Sequence, residues 1–283
     1  MRFDRDNFHD CHELYRSLEG KAVWIVGSDP TLSDYPDDFL EGKIGITLHL
    51  AHIKFPRATF RYSSEYDRSE FLLSKYPDYA SLPLIAGYPM YGKTRDETAR
   101  LVSPCSRVYF HKRVSYLPTG VRGEVDAGYT RAKIRQTMGG RASYWGAHGS
   151  CLHTCVYMAV LMGAAQINVI GSGHGLQNVG GKDHFSGADE IHQGMRTGDT
   201  FTDPKIAYPV IEQTIALKDG CEANGIEFNW FASWTPTMDR KIEIDESLLA
   251  EMKKRAVRHF GPIKRLYRFL VKRPYTRLFI AWR

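Results

Sequence analysis

The chain has 283 residues, 43% of them hydrophobic and 25% charged, which suits one large globular domain with additions and excludes a chain too polar to fold. No run approaches the ~20 apolar residues of a membrane-spanning helix, and the five scattered Cys make no disulfide framework. The net charge of +6 is uneven: residues 253–283 hold 11 Lys and Arg and no Asp or Glu, leaving 27 basic against 32 acidic residues elsewhere.

The opening MRFDRDNFHDCHEL has acidic residues and no apolar core, so it does not read as a secretory signal. Residues 1–20 read as a helical lead-in. Lys21–Val26 reads as a buried strand that stops at Gly27 in a polar loop, Gly27-Ser28-Asp29-Pro30-Thr31. Pro36–Leu40 suits a helical turn, Lys43–Leu48 a second strand and Ala58–Tyr62 a third. Helices are expected over Glu65–Lys75 and Thr94–Val102, and strands over Leu82–Ala86 and Arg107–Phe110. The Gly-, Arg- and Tyr-rich stretch 112–147 suits a loop or lid.

The next unit has clearer punctuation. Ser150 stands at an N-cap position before CLHTCVYMAVLMG, with Gly163 as the stop. Gln166–Ile170 is a strand ending in Gly171-Ser172-Gly173-His174-Gly175. Asp203-Pro204 opens a helix that runs toward Asn224-Gly225, with a disturbance expected at Pro209. Ile226–Phe231 is the last strand. This alternation predicts an α/β chain: a Rossmann-like, mainly parallel sheet flanked by helices. Residues 1–252 would form the nucleotide-sugar-binding domain, with a lid or acceptor insertion over about 88–147, followed by a basic C-terminal helical tail at 253–283.

Ligands of open parallel sheets bind beyond the carboxyl ends of the strands, where Gly27 and Gly171 both lie. Glycine admits close backbone approach to an anion or ribose, and Ser28 and Thr31 add hydroxyls. Neither loop is a dinucleotide fingerprint or a P-loop, and each also reads as a plain turn. Gly149 and Ser150 open a helix and suit either simple capping or a phosphate. Five His fall between 148 and 192. Their spacings match no zinc motif, and Cys151 and Cys155 read as core residues of the helix, so no metal is expected. His184, in the loop Lys182-Asp-His-Phe-Ser-Gly187, suits a general base, with His192 as its alternative.

Four stretches carry a family resemblance. VGSDPTLS (26–33) resembles the "VGNGPSL" start of bacterial CMP-sialic-acid-dependent sialyltransferases and of the related archaeal-type 6-hydroxymethylpterin diphosphokinases. GSCLHTCVYMAVLMGAAQINVIG (149–171) is similar to their helix–strand unit, and Asp183-His184-Phe185 to their His-containing element. FNWFASWTP (228–236) resembles the terminal strand and loop. The resemblance implies a metal-independent glycosyltransferase needing no cofactor beyond its nucleotide-sugar donor, a CMP-sugar by preference. The first loop, Gly149, Ser150 and Gly171, Ser172 and Gly173 would face the nucleotide, and His184 or His192 would deprotonate a glycan or glycolipid acceptor. A metal-dependent diphosphokinase and a non-catalytic nucleotide- or glycan-binding protein are the alternatives. The chain departs from the family at Ser28 and Asp29, at Leu48-His49 in place of an Asn, and at Gly173-His174 in place of an acidic residue.

Composition alone nominates Arg131, Lys133 and Arg135 for acceptor or phosphate charge. The basic tail, with apolar residues at near-helical spacing, suits an anionic membrane surface or docking on its own chain or a second subunit. No nucleic-acid partner is expected, because the acidic body offers no basic groove. The resulting expectation is a cytoplasmic protein held to the inner face of the membrane, with a homo-oligomer as an option.

Overall fold

The computed structural model describes residues 5–112, 127–142, 150–173 and 204–258. Its center is an eight-stranded, all-parallel sheet. In chain order the strands are β1 (Phe8–Asp10), β2 (Ala22–Val26), β3 (Ile44–Leu48), β4 (Phe60–Glu65), β5 (Leu84–Tyr91), β6 (Val108–Lys112), β7 (Gln166–Ile170) and β8 (Glu227–Trp230). Their spatial order is β1-β6-β5-β4-β3-β2-β7-β8. From β2 the chain adds β3 to β6 on one side, then returns to place β7 and β8 on the other. The fold is α/β and Rossmann-like, with its order reversing between β2 and β7.

The helices are α1 (Ala51–Lys54), α2 (Tyr66–Lys75), α3 (Arg95–Leu101), α4 (Ala127–Met138), α5 (Cys151–Leu161), α6 (Pro204–Glu222) and α7 (Glu246–Arg258). Two apolar clusters cover the two faces of the sheet. Val23, Ile25, Ile46, Tyr62, Ile167 and Val169 face α5 and α6. Val26, Leu84, Ala86, Val108, Phe110 and Ile170 face Leu32, Tyr35, Leu50 and Leu72. Alternate strand residues thus serve opposite cores, as a sheet buried on both faces requires.

Helix α5 is apolar all round because it lies between the sheet and α4 and α6. Every residue from Leu152 to Leu161 is buried, and Cys151 is partly exposed. Ser150 caps it by accepting from the Leu152 N–H at 3.2 Å, and Gly163 follows its end at φ +84°. His153 is buried within this packing; its Nε2 contacts Thr214 Oγ1 at 3.1 Å and Val210 O at 3.2 Å on α6.

Four elements differ from the sequence reading. The helical lead-in is instead β1, an edge strand paired with β6, followed by a single 3-10 turn over Cys11–Leu14. A capping box between Asp10 and Glu13 starts that turn, and Arg16 at φ +57° lies just beyond its end. Residues 88–112, where the lid or acceptor insertion is expected to begin, belong instead to the main sheet: they hold the end of β5, then α3 and β6, which match the helix expected over Thr94–Val102 and the strand expected over Arg107–Phe110. Within 112–147, residues 127–138 form α4, which packs on α6 and α5. Finally, α6 runs through Pro209. Among the described residues, no helix is long and apolar enough to cross a membrane. The expected membrane-associating tail lies outside the described residues beyond Arg258.

Candidate functional site

Val26 pairs with Ile170 in the β2–β7 ladder, so the loops after these two strands leave the sheet side by side at the reversal of strand order. They bind one another. Gly27 N–H donates to Ile170 O and Asp29 N–H to Gly171 O, each at 2.9 Å. Gly171 has φ +59°. A Cβ on Gly27 would lie 2.1 Å from Gly171 O and 2.0 Å from Ser172 Oγ; only glycine fits this crossing.

Asp29 caps the 3-10 turn Pro30–Asp34. Its carboxylate accepts from Thr31 N–H at 3.0 Å, from the Thr31 hydroxyl and from Gly173 N–H. Burial pushes this carboxyl group above its usual range, and the bonds from Thr31 and Gly173 pull against that shift. Thr31 and Ser172 are buried and Ser28 is partly exposed. The Ser172 carbonyl accepts from Trp230 Nε1–H at 3.0 Å. Asp29, Thr31, Gly171, Ser172 and Gly173 therefore form a clasp that makes the floor beyond the ends of β2 and β7.

Beside this floor, the carboxyl ends of β3 and β4 meet the start of α5. His49 stands one residue past β3 at φ +44°, and its N–H donates to Tyr62 O at 3.1 Å. The β4–β5 register shifts between Ser63 and Glu65. Two serines hold the His49 ring. Ser69 donates to Glu65 O at 2.9 Å and lies 2.6 Å from Ser63 Oγ, which is itself 3.3 Å from Glu65 O. Ser63 Oγ is also 3.3 Å from His49 Nδ1. The other ring nitrogen, Nε2, lies 2.9 Å from Cys151 Sγ, which also meets Ser64 Oγ at 3.1 Å. Glu65 completes the group, with Oε2 2.9 Å from Arg68 Nε. Behind the cluster, Tyr62 stacks on His111 with centroids 5.6 Å apart, its hydroxyl 3.2 Å from Nε2. Burial holds the Tyr62 phenol well above its ordinary value.

A thiol, an imidazole, a carboxylate and a serine hydroxyl thus converge at the first residue of an eleven-residue helix. The positive end of that helix's dipole faces the same space, giving the rim donors for an anionic group and a paired thiol and imidazole.

The chain matches no protein-family model, no curated protein and no solved structure.

The structure brings Gly27, Ser28, Asp29, Pro30 and Thr31 together with Gly171, Ser172 and Gly173, and sets Ser150 at the adjoining helix start. Gly149, His184 and His192 lie outside the described residues. Arg131, Lys133 and Arg135 are on α4, away from these loops. Arg131 lies against Gly220 near the end of α6, and that end leads into the first residues of β8, at the amino edge of the sheet. Lys133 is buried, and burial pushes its ammonium down to about 8. Arg131 and Arg135 are exposed.

Sequence reasoning placed Cys151 in the core and Glu65 at the start of a helix, and took His49 only as a departure from a family pattern. The polar run Ser63-Ser64-Glu65 that ends β4 was the available signal, since polar residues at a strand's carboxyl end line the ligand crevice of open α/β sheets.

Proposed function

We propose that the protein is a nucleotide-sugar-dependent transferase of glycosyltransferase type. Its donor would lie over the carboxyl ends of β2, β3 and β4, against the start of α5. The observation that carries this reading is the reversal of strand order between β2 and β7, with glycine loops at both strand ends and the His49–Ser64–Cys151 group beside them. Ligands of open α/β sheets bind at such a switch point. The nucleotide half of the proposal rests on that geometry, and the sugar half on the motif resemblance at 26–33, 149–171 and 228–236. In this reading Ser28 and Ser150 adjoin the nucleotide. His184, outside the described residues, is the base that takes the acceptor's hydroxyl proton.

A CMP-linked acidic sugar is the favored donor, and a surface glycan or glycolipid the acceptor. The uneven charge of the chain supports attachment of the basic tail to an anionic lipid surface at the cytoplasmic face. A diphosphokinase would need Mg²⁺ and ATP. Mg²⁺ prefers all-oxygen ligands, whereas the described cluster offers sulfur and nitrogen beside one carboxylate, which places that alternative second.

A thermal-shift screen of CMP, UDP, GDP, ADP and their sugars tests the proposal, because a ligand that binds only the folded state raises Tm by mass action. A CMP-sugar is expected to stabilize the protein, and His49→Ala to weaken that shift. Stabilization by Mg²⁺-ATP alone would move the assignment to a kinase. A flat response to every nucleotide would remove the donor site.

A further inference from the structure

We infer that His49, Glu65 and Cys151 form a binding site for a thiophilic divalent cation of the Zn²⁺ type. One ligand atom from each residue lies within 4.8 Å of the other two. The three come from different elements: the residue past β3, the last residue of β4 and the first of α5. They are far apart in the sequence, so no linear zinc spacing records them.

The donor set fits such an ion in three respects. First, imidazole nitrogen, thiolate sulfur and a single carboxylate oxygen are ligands that Zn²⁺ takes, and sulfur disfavors Mg²⁺ and Ca²⁺. Second, the supporting contacts are in place. Ser63 Oγ stands 3.3 Å from His49 Nδ1, and Nε2 faces Cys151 Sγ at 2.9 Å. Arg68 holds Glu65 Oε2, and Oε1 is the second oxygen of that carboxylate. Metal-binding His and carboxylate groups are oriented by partners of this kind. Third, three protein ligands leave a fourth position for water or a substrate oxygen, and Cys151 and Glu65 are both partly exposed at the crevice.

Nε2 and Sγ now stand 2.9 Å apart, whereas a tetrahedral ion with bonds of about 2.0 and 2.3 Å separates them by roughly 3.5 Å. Entry of the ion therefore opens the pair by about half an ångström. It also replaces the thiol proton, which leaves to solvent, so binding weakens as pH falls. The inference rests on the side-chain cluster alone and stands whether or not the crevice takes a nucleotide.

The test is Co²⁺ titration of the reduced, chelator-stripped full-length protein, followed by competition with Zn²⁺. Near-ultraviolet absorption from thiolate to cobalt, with visible bands of a four-coordinate ion, is expected to saturate at one ion per chain and to vanish on adding Zn²⁺. Cys151→Ser should abolish the sulfur band, and His49→Ala and Glu65→Gln should each weaken binding by about tenfold or more, with circular dichroism confirming that the variants fold. Where a variant does not fold, alkylation of the wild type decides. Cys11, Cys105, Cys155 and Cys221 are buried, so iodoacetamide reads Cys151, and Zn²⁺ should protect it. Absence of the sulfur band, its survival in Cys151→Ser, or alkylation of Cys151 unaffected by Zn²⁺ overturns the site.

Discussion

His52 Nδ1 accepts a hydrogen bond from Nε of Arg61 at 3.1 Å, and both residues are buried. The guanidinium also donates to the carbonyls of Tyr79, Leu82 and Asp78 and lies 4.9 Å from the Tyr79 ring center. A cation with this many acceptors is tolerated in a core. Burial, and then the charge of Arg61, hold the His52 imidazole down to about 3. In the unfolded chain it titrates near 6.5, so below that pH the unfolded state binds a proton that the folded state refuses. Stability is therefore complete above about pH 6.5 and falls as pH drops toward 3. The loss between pH 7.5 and pH 5 is expected to be about 2 kcal/mol. Urea unfolding at the two pH values measures it, and His52→Gln should show a smaller loss. Asp10, held down to about 2, acts mainly below about pH 4, outside this window. Equal pH dependence in the wild type and His52→Gln would rule out the neutral imidazole as the cause.

Gly27→Ala drives a methyl group into the Gly171 carbonyl, a backbone atom that cannot swing aside. The expected cost is about 3 kcal/mol, a fall in Tm of roughly 5 °C or more, which differential scanning calorimetry reads directly. An unchanged Tm would mean that the two loops do not cross this closely.

Asp29→Ala separates a structural role from a ligand-binding one. Its carboxylate caps Thr31 and reaches Gly173, so truncation leaves donors on both loops unsatisfied. A loss of about 2 kcal/mol is expected in chemical denaturation. Full stability with abolished nucleotide binding would instead place Asp29 on the ligand.

Removing residues 259–283 leaves all of α7 and takes away most of the basic stretch. Binding to vesicles that contain anionic lipid is expected to drop sharply in sedimentation assays, with binding by the full chain weakening as salt rises. Undiminished binding by the truncated protein would reject the tail as the attachment device.

His49→Ala and Ser64→Ala should weaken nucleotide stabilization while leaving far-ultraviolet circular dichroism unchanged. His49 is the stricter probe, because its backbone occupies the left-handed region, which His49→Gly accommodates best. If both variants retain the full thermal shift, the crevice beside α5 is not the donor site.

Strand β2, its stop at Gly27, the Ser150 cap, helix α5 and strand β7 were legible in the chain itself. Each is specified locally, by an apolar run ended by glycine or by a capping hydroxyl before a helical pattern. The parallel α/β class followed from their alternation, and the β2–β7 ladder sets the two glycine stops side by side. Local pattern misled where long-range pairing decided. Phe8–Asp10 is a strand because β6 offers it an edge, and residues 127–138 are a helix packed against α6 and α5 rather than an open lid.

The functional cluster belongs to that second kind. The sequence determined which segments carry strands, caps and glycine stops, because those choices depend on residues within a few positions of one another. Only the tertiary structure decided that His49, Glu65 and Cys151 meet, that Asp29 spends its carboxylate on Thr31 and Gly173, and that Lys133 is buried. The meeting of His49, Glu65 and Cys151 and the bond from Gly173 to Asp29 join residues distant in the chain, and parallel pairing with helical crossovers, not local propensity, brings these to the carboxyl edge of the sheet.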